Sequence, residues 1–138
     1  MADESLVLVD TSVWVHAFHA PRSQEADFLD GLLAVKMVAT CAPIQAEVVS
    51  GAQTARAFHD LRGRFGALAN LELPSQLWSH LEEHRFALAR RGYQASLIDL
   101  MIALTSQTHH VPLWTLDKGF QFIASVIPLR FYPEAAAR

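Results

Sequence analysis

Short continuous runs of apolar residues alternate along the chain with longer stretches in which apolar residues recur at helical spacing. The first run, Leu6 to Asp10, is apolar without a break until its terminal carboxylate. Such a run predicts a strand that is buried on both faces, as in a parallel sheet covered by helices on two sides. Helical spacing follows up to Phe18, with Ser12 predicted as the cap, and again from Gln24 to Ala34.

The same alternation continues to the end of the chain and predicts a single α/β domain over residues 1–138. Its architecture is expected to be a three-layer α/β/α sandwich around a central, mostly parallel sheet. Further strands are predicted at 37–39, 70–73, 111–115 and 128–132, the last an edge strand between prolines, and further helices at 43–50, 54–65, 75–91, 97–107 and 117–123.

Composition narrows the class of protein further. At 138 residues and 51% hydrophobic content, the chain can bury one sizeable core. A net charge of −3 argues against binding nucleic acid through overall charge, although a local basic surface stays open. The single cysteine, Cys41, permits no internal disulfide and predicts a cytoplasmic protein. No stretch approaches the roughly 20 apolar residues that span a bilayer, so no membrane partner is expected.

Two aspartates follow the carboxyl ends of predicted strands. Asp10 ends the first strand, and Asp117 stands two residues past Thr115 in the strand 111–115. Ligands of an open parallel sheet bind outside the carboxyl ends of its strands, so both aspartates are expected at one edge.

Two further acids stand out because their surroundings are apolar. Glu47 and Asp99 lie inside apolar helical runs, and neither has a cation three or four positions away on its own helix. A buried carboxylate without a partner is costly, so its compensation must come from elsewhere. A distant arginine or a helix end would serve for any single acid.

The four acids taken together indicate a divalent cation. Mg²⁺ and Mn²⁺ prefer hard oxygen ligands, which clustered Asp and Glu side chains supply. One or two such ions can lower the pKa of a water, direct it at a phosphorus atom and neutralise the leaving oxygen. The pattern therefore indicates hydrolysis of a phosphodiester.

These acids lie in four motifs, VDTSVWV, PIQAEVVSG, SLIDLMIA and LWTLDKGF. In order and spacing the motifs resemble those of the PIN-domain ribonucleases, in particular the VapC toxins of bacterial toxin–antitoxin pairs. The resemblance runs from Leu6 to Tyr132. It implies a PIN-like fold, endoribonuclease activity dependent on Mg²⁺ or Mn²⁺, an RNA substrate, a homodimer, and a cognate antitoxin protein that silences a type II toxin.

The resemblance also implies roles for individual residues. Asp10 and Asp99 would be the main metal ligands, directly or through water. Glu47 would ligate a second ion or orient the attacking water, and Asp117 would complete the charge. The catalytic and metal-binding set is therefore Asp10, Glu47, Asp99 and Asp117, with Ser12 and Thr115 as polar neighbours that support it.

Two positions depart from the pattern of many relatives. Ser12 stands where many have asparagine, and its shorter side chain still offers an oxygen for hydrogen bonding. Gly119 stands where many have another aspartate, two residues after Asp117. The second departure puts a second metal position in doubt and leaves the first untouched.

Two alternatives of the same fold stay open: a catalytically inactive module that binds metal or RNA, and a housekeeping RNA-processing nuclease without an antitoxin. Other classes fail at named positions. A haloacid-dehalogenase-type phosphatase needs an aspartate where Ser12 stands, and a response-regulator receiver needs an acid where Val9 stands. A zincin needs glutamate at Leu81, between His80 and His84. The three tryptophans, Trp14, Trp78 and Trp114, are expected in the core or in a dimer interface.

Overall fold

Four short strands form a parallel sheet at the centre of the structure, a computed structural model that describes residues 5–133. The strands lie in the order β3-β2-β1-β4, and every pairing is parallel. β1 is therefore a central strand, and the prediction of a mostly parallel sheet is confirmed. The strands are β1 (Val7–Val9), β2 (Val38–Thr40), β3 (Ala69–Asn70) and β4 (Leu113–Trp114).

Pairs of helices separate successive strands, since parallel neighbours need a long crossover connection. None of the helices in residues 5–133 is long and apolar enough to cross a membrane. The helices are α1 (Thr11–His19), α2 (Gln24–Ala34), α3 (Ala42–Ser50), α4 (Ala55–Phe65), α5 (Leu77–Arg90), α6 (Leu97–His109) and α7 (Gly119–Ile123).

The core lies on both faces of the sheet. All residues of β1 are buried, and successive strand residues point to opposite faces, so side chains must cover both sides. Fully buried residues from separate helices do so, including Ile44 of α3, Leu100 of α6 and Phe120 of α7. The predicted α/β class with helices on two sides of a parallel sheet is confirmed.

The start of α1 differs from the prediction in one functionally important respect. Ser12 was expected to cap this helix, but the cap is Asp10, whose extended backbone ends β1 and whose side chain accepts from the backbone N–H of Ser12. Ser12 lies inside the first turn. The reason is that the chain enters the helix directly from the strand, so the carboxylate at the strand end also satisfies a free N–H of the helix.

Edge strands and element ends account for the other differences. The strand predicted at 70–73 lies at Ala69–Asn70, and the one predicted at 128–132 is a single bridge between Leu113 and Phe131. An edge strand has a neighbour on one side only, so few of its residues join a ladder. The remaining elements shift by up to two residues at an end, as at β2 (predicted 37–39), β4 (predicted 111–115), α5 (predicted 75–91), α6 (predicted 97–107) and α7 (predicted 117–123).

The tryptophans divide between core and surface. Trp14 and Trp114 are buried, whereas Trp78 on α5 is 63% exposed. Phe86 on the same helix is 66% exposed, while Leu81 and Leu88 are buried. Helix α5 therefore carries apolar side chains on its solvent-exposed face as well as on its buried face.

Candidate active site

Asp10 lies at the centre of the carboxyl edge of the sheet. Its side chain is held by hydroxyl groups from two segments: Oδ2 accepts from Ser12 Oγ at 2.7 Å and from Thr115 Oγ1 at 2.8 Å. The residue is only 4% exposed, so these donors replace water around the carboxylate. The contact with Thr115 exists because β4 pairs directly with β1 and ends beside it.

The same two hydroxyl groups fix the segment that follows β4. Ser12 Oγ accepts from the backbone N–H of Leu116 at 3.0 Å, and Thr115 Oγ1 accepts from that of Asp117 at 3.0 Å. Each hydroxyl therefore donates to Asp10 and accepts from the loop. The short side chain of Ser12 suits this double contact. Ser12 and Thr115 therefore both contact Asp10, and their role in supporting a metal site stays a prediction.

Glu47 reaches the site from α3, and its environment differs from the expected one. The sequence suggested a carboxylate inside an apolar run, but Glu47 is exposed because α3 buries Ile44, Val48 and Val49 on its other face. Its Oε1 accepts from Thr11 Oγ1 at 2.6 Å. Thr11 was missed by sequence reasoning; its place directly after Asp10, in the first turn of α1, was the available signal.

Asp99 lies in the first turn of α6, and its backbone N–H donates to the capping Ser96 Oγ at 3.0 Å. The half-buried carboxyl has its pKa raised to about 6, first by burial and then by the negative charges of Asp10, Asp117 and Glu47. All four acids therefore interact electrostatically at one edge of the sheet, as the sequence predicted. Their catalytic and metal-binding roles stay predictions.

The charge of this cluster is not balanced by ion pairs within the described part of the chain. The ion pairs among residues 5–133 are His16 with Glu25 and Arg64 with Asp60, so none includes the four acids. Cys41 is unsuited to neutralising a cation, since burial and the charges of Asp10 and Glu47 raise the pKa of its thiol to about 11. The site is thus rich in oxygen ligands, and no ion pair among residues 5–133 neutralises them.

The donor set fits a hard divalent cation in chemistry, with one geometric restriction. Within residues 5–133, no three or more His, Cys, Asp and Glu side chains form a group that could hold a metal ion. An ion at this site would therefore take one or two carboxylates directly and complete its shell with water. Mg²⁺ commonly binds to proteins in this way.

Gly119 shows why an additional aspartate is missing from the site. Its backbone N–H donates to Asp117 Oδ1 at 2.8 Å, and a Cβ atom at Gly119 would lie only 2.3 Å from Tyr93 Oη. The phenol thus occupies the space that a side chain would need. Tyr93 was also missed by sequence reasoning, because it lies 26 residues before Gly119 in the chain and no local pattern connects the two. The departure at Gly119 was an indirect signal.

Fold and site together define a class of protein: a parallel α/β domain with a cluster of acids at the carboxyl edge of its central strand. Residues 7–125 match the PIN domain, and the chain belongs to the PIN-domain family. The predicted family is confirmed.

Individual relatives cover nearly the whole chain. Ribonuclease VapC11 of Mycobacterium tuberculosis is 28% identical over 129 residues, which are 91% of this chain and 96% of that protein. VapC ribonuclease Mb1587 of Mycobacterium bovis is similar to the same extent, with 28% identity and coverage of 91% and 96%. The chain therefore resembles ribonucleases of the VapC type over 91% of its length.

Solved structures share the fold at lower identity. VapBC-1 from nontypeable Haemophilus influenzae has a TM-score of 0.72 and 18% identity, covering 94% of this chain and 98% of that one. VapBC2 from Rickettsia felis, bound to a DNA fragment from its promoter, has a TM-score of 0.70 and 20% identity, covering 91% and 96%. At these identities the likeness establishes the fold.

Proposed function

We propose that this protein is a metal-dependent endoribonuclease and the toxin of a type II toxin–antitoxin pair, acting on RNA in the cytoplasm. The observation that carries the proposal is the convergence of four acids, from four separate segments, without a compensating cation among the described residues. The similarity to VapC ribonucleases over 91% of the chain supports RNA as the substrate.

Asp10 and Asp99 would hold the ion, Mg²⁺ or Mn²⁺. When bound, the ion supplies positive charge that lowers the pKa of a water and neutralises the phosphate and the leaving oxygen. Ser12 and Thr115 keep Asp10 in place for this role, since their hydroxyls already point at Oδ2. A bound ion would also stabilise the charged form of Asp99, whose pKa is raised to about 6 by burial and by repulsion from the neighbouring acids.

The other two acids, Glu47 and Asp117, have different roles: one acts on the attacking water and the other on the affinity for the cation. Glu47, held by Thr11 Oγ1, orients the attacking water and accepts its proton as the bond to phosphorus forms. Asp117 adds negative charge that favours the cation, and its side chain is fixed by the backbone N–H of Gly119. The proton of the nucleophile thus passes to a carboxylate whose position the protein sets.

Cleavage of RNA by the purified, antitoxin-free protein tests the proposal. Total cellular RNA is incubated with Mg²⁺, with Mn²⁺, with chelator, and with the Asp10→Asn variant. Asp27→Asn is the matched control, since it makes the same change at an exposed acid of α2. Discrete fragments that require metal and Asp10, and that persist in the control, are expected. Folded protein that binds RNA but never cuts it would favour the inactive module.

We propose that the antitoxin binds in an apolar cavity of about 560 Å³ between α1, α2 and α4. Phe18, 48% exposed, lies at its wall together with buried Trp14 and Leu29. An amphipathic segment of a partner protein could fill it. Co-expressed antitoxin should relieve growth arrest by the wild-type toxin but not by Phe18→Glu, with Val35→Glu, an exposed apolar position outside this cavity, as the control. Relief of both variants alike would contradict this assignment.

A homodimer is supported by exposed apolar side chains on and beside α5, namely Trp78, Phe86 and Leu97, which border one cavity. Surfaces of this kind commonly mark protein interfaces. The two-fold dimer is expected to dissociate in Trp78→Glu, as measured by sedimentation velocity, while Val35→Glu, another exposed apolar position, should leave it intact. If the wild type is monomeric at micromolar concentration, the proposed homodimer is contradicted.

A further inference from the structure

Tyr93 has an orientation that two contacts determine. Its ring stacks on Phe122 of α7, with centroids 5.0 Å apart and planes inclined by 11°. Its backbone N–H donates to the carbonyl of Leu88 at the end of α5, at 2.9 Å. The phenol is therefore aimed by packing between two helices, and it does not depend on any contact of its hydroxyl group.

The hydroxyl end of Tyr93 lies at the acidic site. A Cβ atom built on Gly119 would be 2.3 Å from Tyr93 Oη and 3.1 Å from Asp117 Oδ1. Cβ atoms essentially never approach another atom within 3.0 Å, so Gly119 is required for the phenol to stay in place. Burial and the charges of Asp117 and Asp99 raise the pKa of Tyr93 and keep its proton on the oxygen.

The proton of this hydroxyl is available to a ligand. Thr11 donates to Glu47, and Ser12 and Thr115 donate to Asp10, so these hydroxyl protons are already used. The hydrogen bonds within residues 5–133 include none from the Tyr93 hydroxyl. The same residues contain no fully buried side-chain oxygen without a partner, so the Tyr93 oxygen must reach solvent.

We propose that the Tyr93 hydroxyl donates a hydrogen bond to a non-bridging phosphate oxygen of the RNA strand that enters the acidic site. This inference rests on the proposed ribonuclease function. Carboxylates and phosphates both only accept hydrogen bonds, so a strand among four acids needs a donor in addition to a cation. Tyr93 supplies a neutral donor at the place where Gly119 leaves room. The proposed hydrogen bond makes Tyr93 a residue that contacts the substrate.

The Tyr93→Phe variant tests the contact, because it keeps the ring on Phe122 and removes one oxygen. Its kcat/KM for RNA cleavage is expected to fall roughly 10- to 100-fold, the range for a hydrogen bond to a charged group. Tyr132→Phe makes the same change at the other tyrosine of the chain and is the matched control. A Tyr93→Phe variant with wild-type kcat/KM would overturn the inference and leave the ribonuclease function intact.

A binding measurement separates the two proposals. RNA affinity is compared between Asp10→Asn and Asp10→Asn/Tyr93→Phe, both of which should cut too slowly to affect the measurement, so the readout is the dissociation constant. A weakening of roughly 10-fold or more in the double variant is expected. If the wild type binds RNA without cutting it, this comparison still decides the role of Tyr93, and equal affinities would overturn it.

The position of the Tyr93 hydroxyl against Gly119 is tested by thermal unfolding, a measurement that does not involve RNA. Gly119→Ala should lower the melting temperature in the wild type, where the new Cβ meets Oη at 2.3 Å. In the Tyr93→Phe background the nearest ring atom is Cζ at 3.4 Å and only the 3.1 Å contact with Asp117 Oδ1 stays tight, so the loss should be clearly smaller. Equal losses in both backgrounds would mean that the hydroxyl does not lie against Gly119, and would overturn the inference.

Discussion

The inner and outer halves of the acidic site are built differently. In the inner half, Asp10 is buried and accepts short hydrogen bonds from the hydroxyls of the half-buried Ser12 and Thr115. In the outer half, Glu47 and Asp117 are exposed, and each side chain accepts a single hydrogen bond. The folded chain therefore fixes the side chains of the inner half by its own hydrogen bonds, whereas the charges of the outer half still need a cation to bring them together.

The two halves meet at Asp99. Burial raises the pKa of its carboxyl most, and the charges of Asp10, Asp117 and Glu47, which come from both halves, raise it further. Free energy that the folded chain loses to this repulsion is recovered when a cation binds or when a carboxyl takes up a proton. Activity should thus depend most on the inner half, and the pH dependence of stability most on Asp99.

The largest difference between the halves should appear in catalysis. Asp10→Asn is expected to lower kcat/KM roughly 10³-fold, because it removes an ion ligand, while Glu47→Gln should cost roughly 10- to 100-fold. Both changes remove one charge and keep the shape, so cleavage assays at saturating Mg²⁺ compare them directly. Equal losses would show that the outer half is as essential as the inner one.

The support around Asp10 should matter less than Asp10 itself, but measurably. Thr115→Val keeps the shape and removes the donor to Oδ2, so metal affinity or activity should fall roughly 10-fold. The free energy of unfolding should fall by about 1 kcal/mol, the usual value of one hydrogen bond. Thr115→Ser keeps the hydroxyl and is the control. If Val and Ser behave alike in metal titration and cleavage, the hydroxyl does not hold Asp10 for its role.

The smallest expected effect is on stability as a function of pH. An acid whose pKa is raised on folding destabilises the folded state when ionised, so stability is lost as the pH rises. For Asp99 this loss runs from its unfolded pKa, near 4, through its folded value of about 6. In metal-free buffer, Asp99→Asn should remove this component, so its melting temperature should exceed that of the wild type at pH 7.

The comparison needs a reference at low pH. Near pH 4 the two proteins should melt within about 1 °C of each other, and at pH 7 they should differ by roughly 3–6 °C. Added Mg²⁺ should narrow the difference at pH 7, because the cation takes over the neutralisation. A difference that is the same at both pH values would mean that the repulsion at Asp99 is negligible.

Elements with a strong local signal were predicted well. The helix Gln24–Ala34 has the predicted bounds, because Ser23 caps it and its buried residues Ala26, Leu29 and Leu32 recur at helical spacing. β1 was predicted from its unbroken apolar run. The edge strands were not, since β3 is exposed and the bridge at Phe131 depends on a single contact with β4. Such pairings depend on neighbouring strands that are distant in the sequence, so the local pattern of residues does not reveal them.

The site was predictable where topology decides it. Parallel strands place Asp10 and Asp117 at one edge, and the resemblance placed Glu47 and Asp99 with them. The exposure of Glu47 was not predictable, because α3 is so uniformly apolar that its sequence does not indicate which face is buried. Tyr93 and Thr11 escaped notice because each acts through a contact between distant segments.

The hydrogen bond between Thr115 and Asp10 joins residues 105 positions apart in the chain. During synthesis Asp10 leaves the ribosome long before Thr115, and β1 lacks its β4 neighbour until then. For a nuclease that attacks RNA, this order is protective: a nascent or prematurely terminated chain carries the first aspartate without the segment that completes the site. The site around Asp10 is complete only after Thr115 has been made.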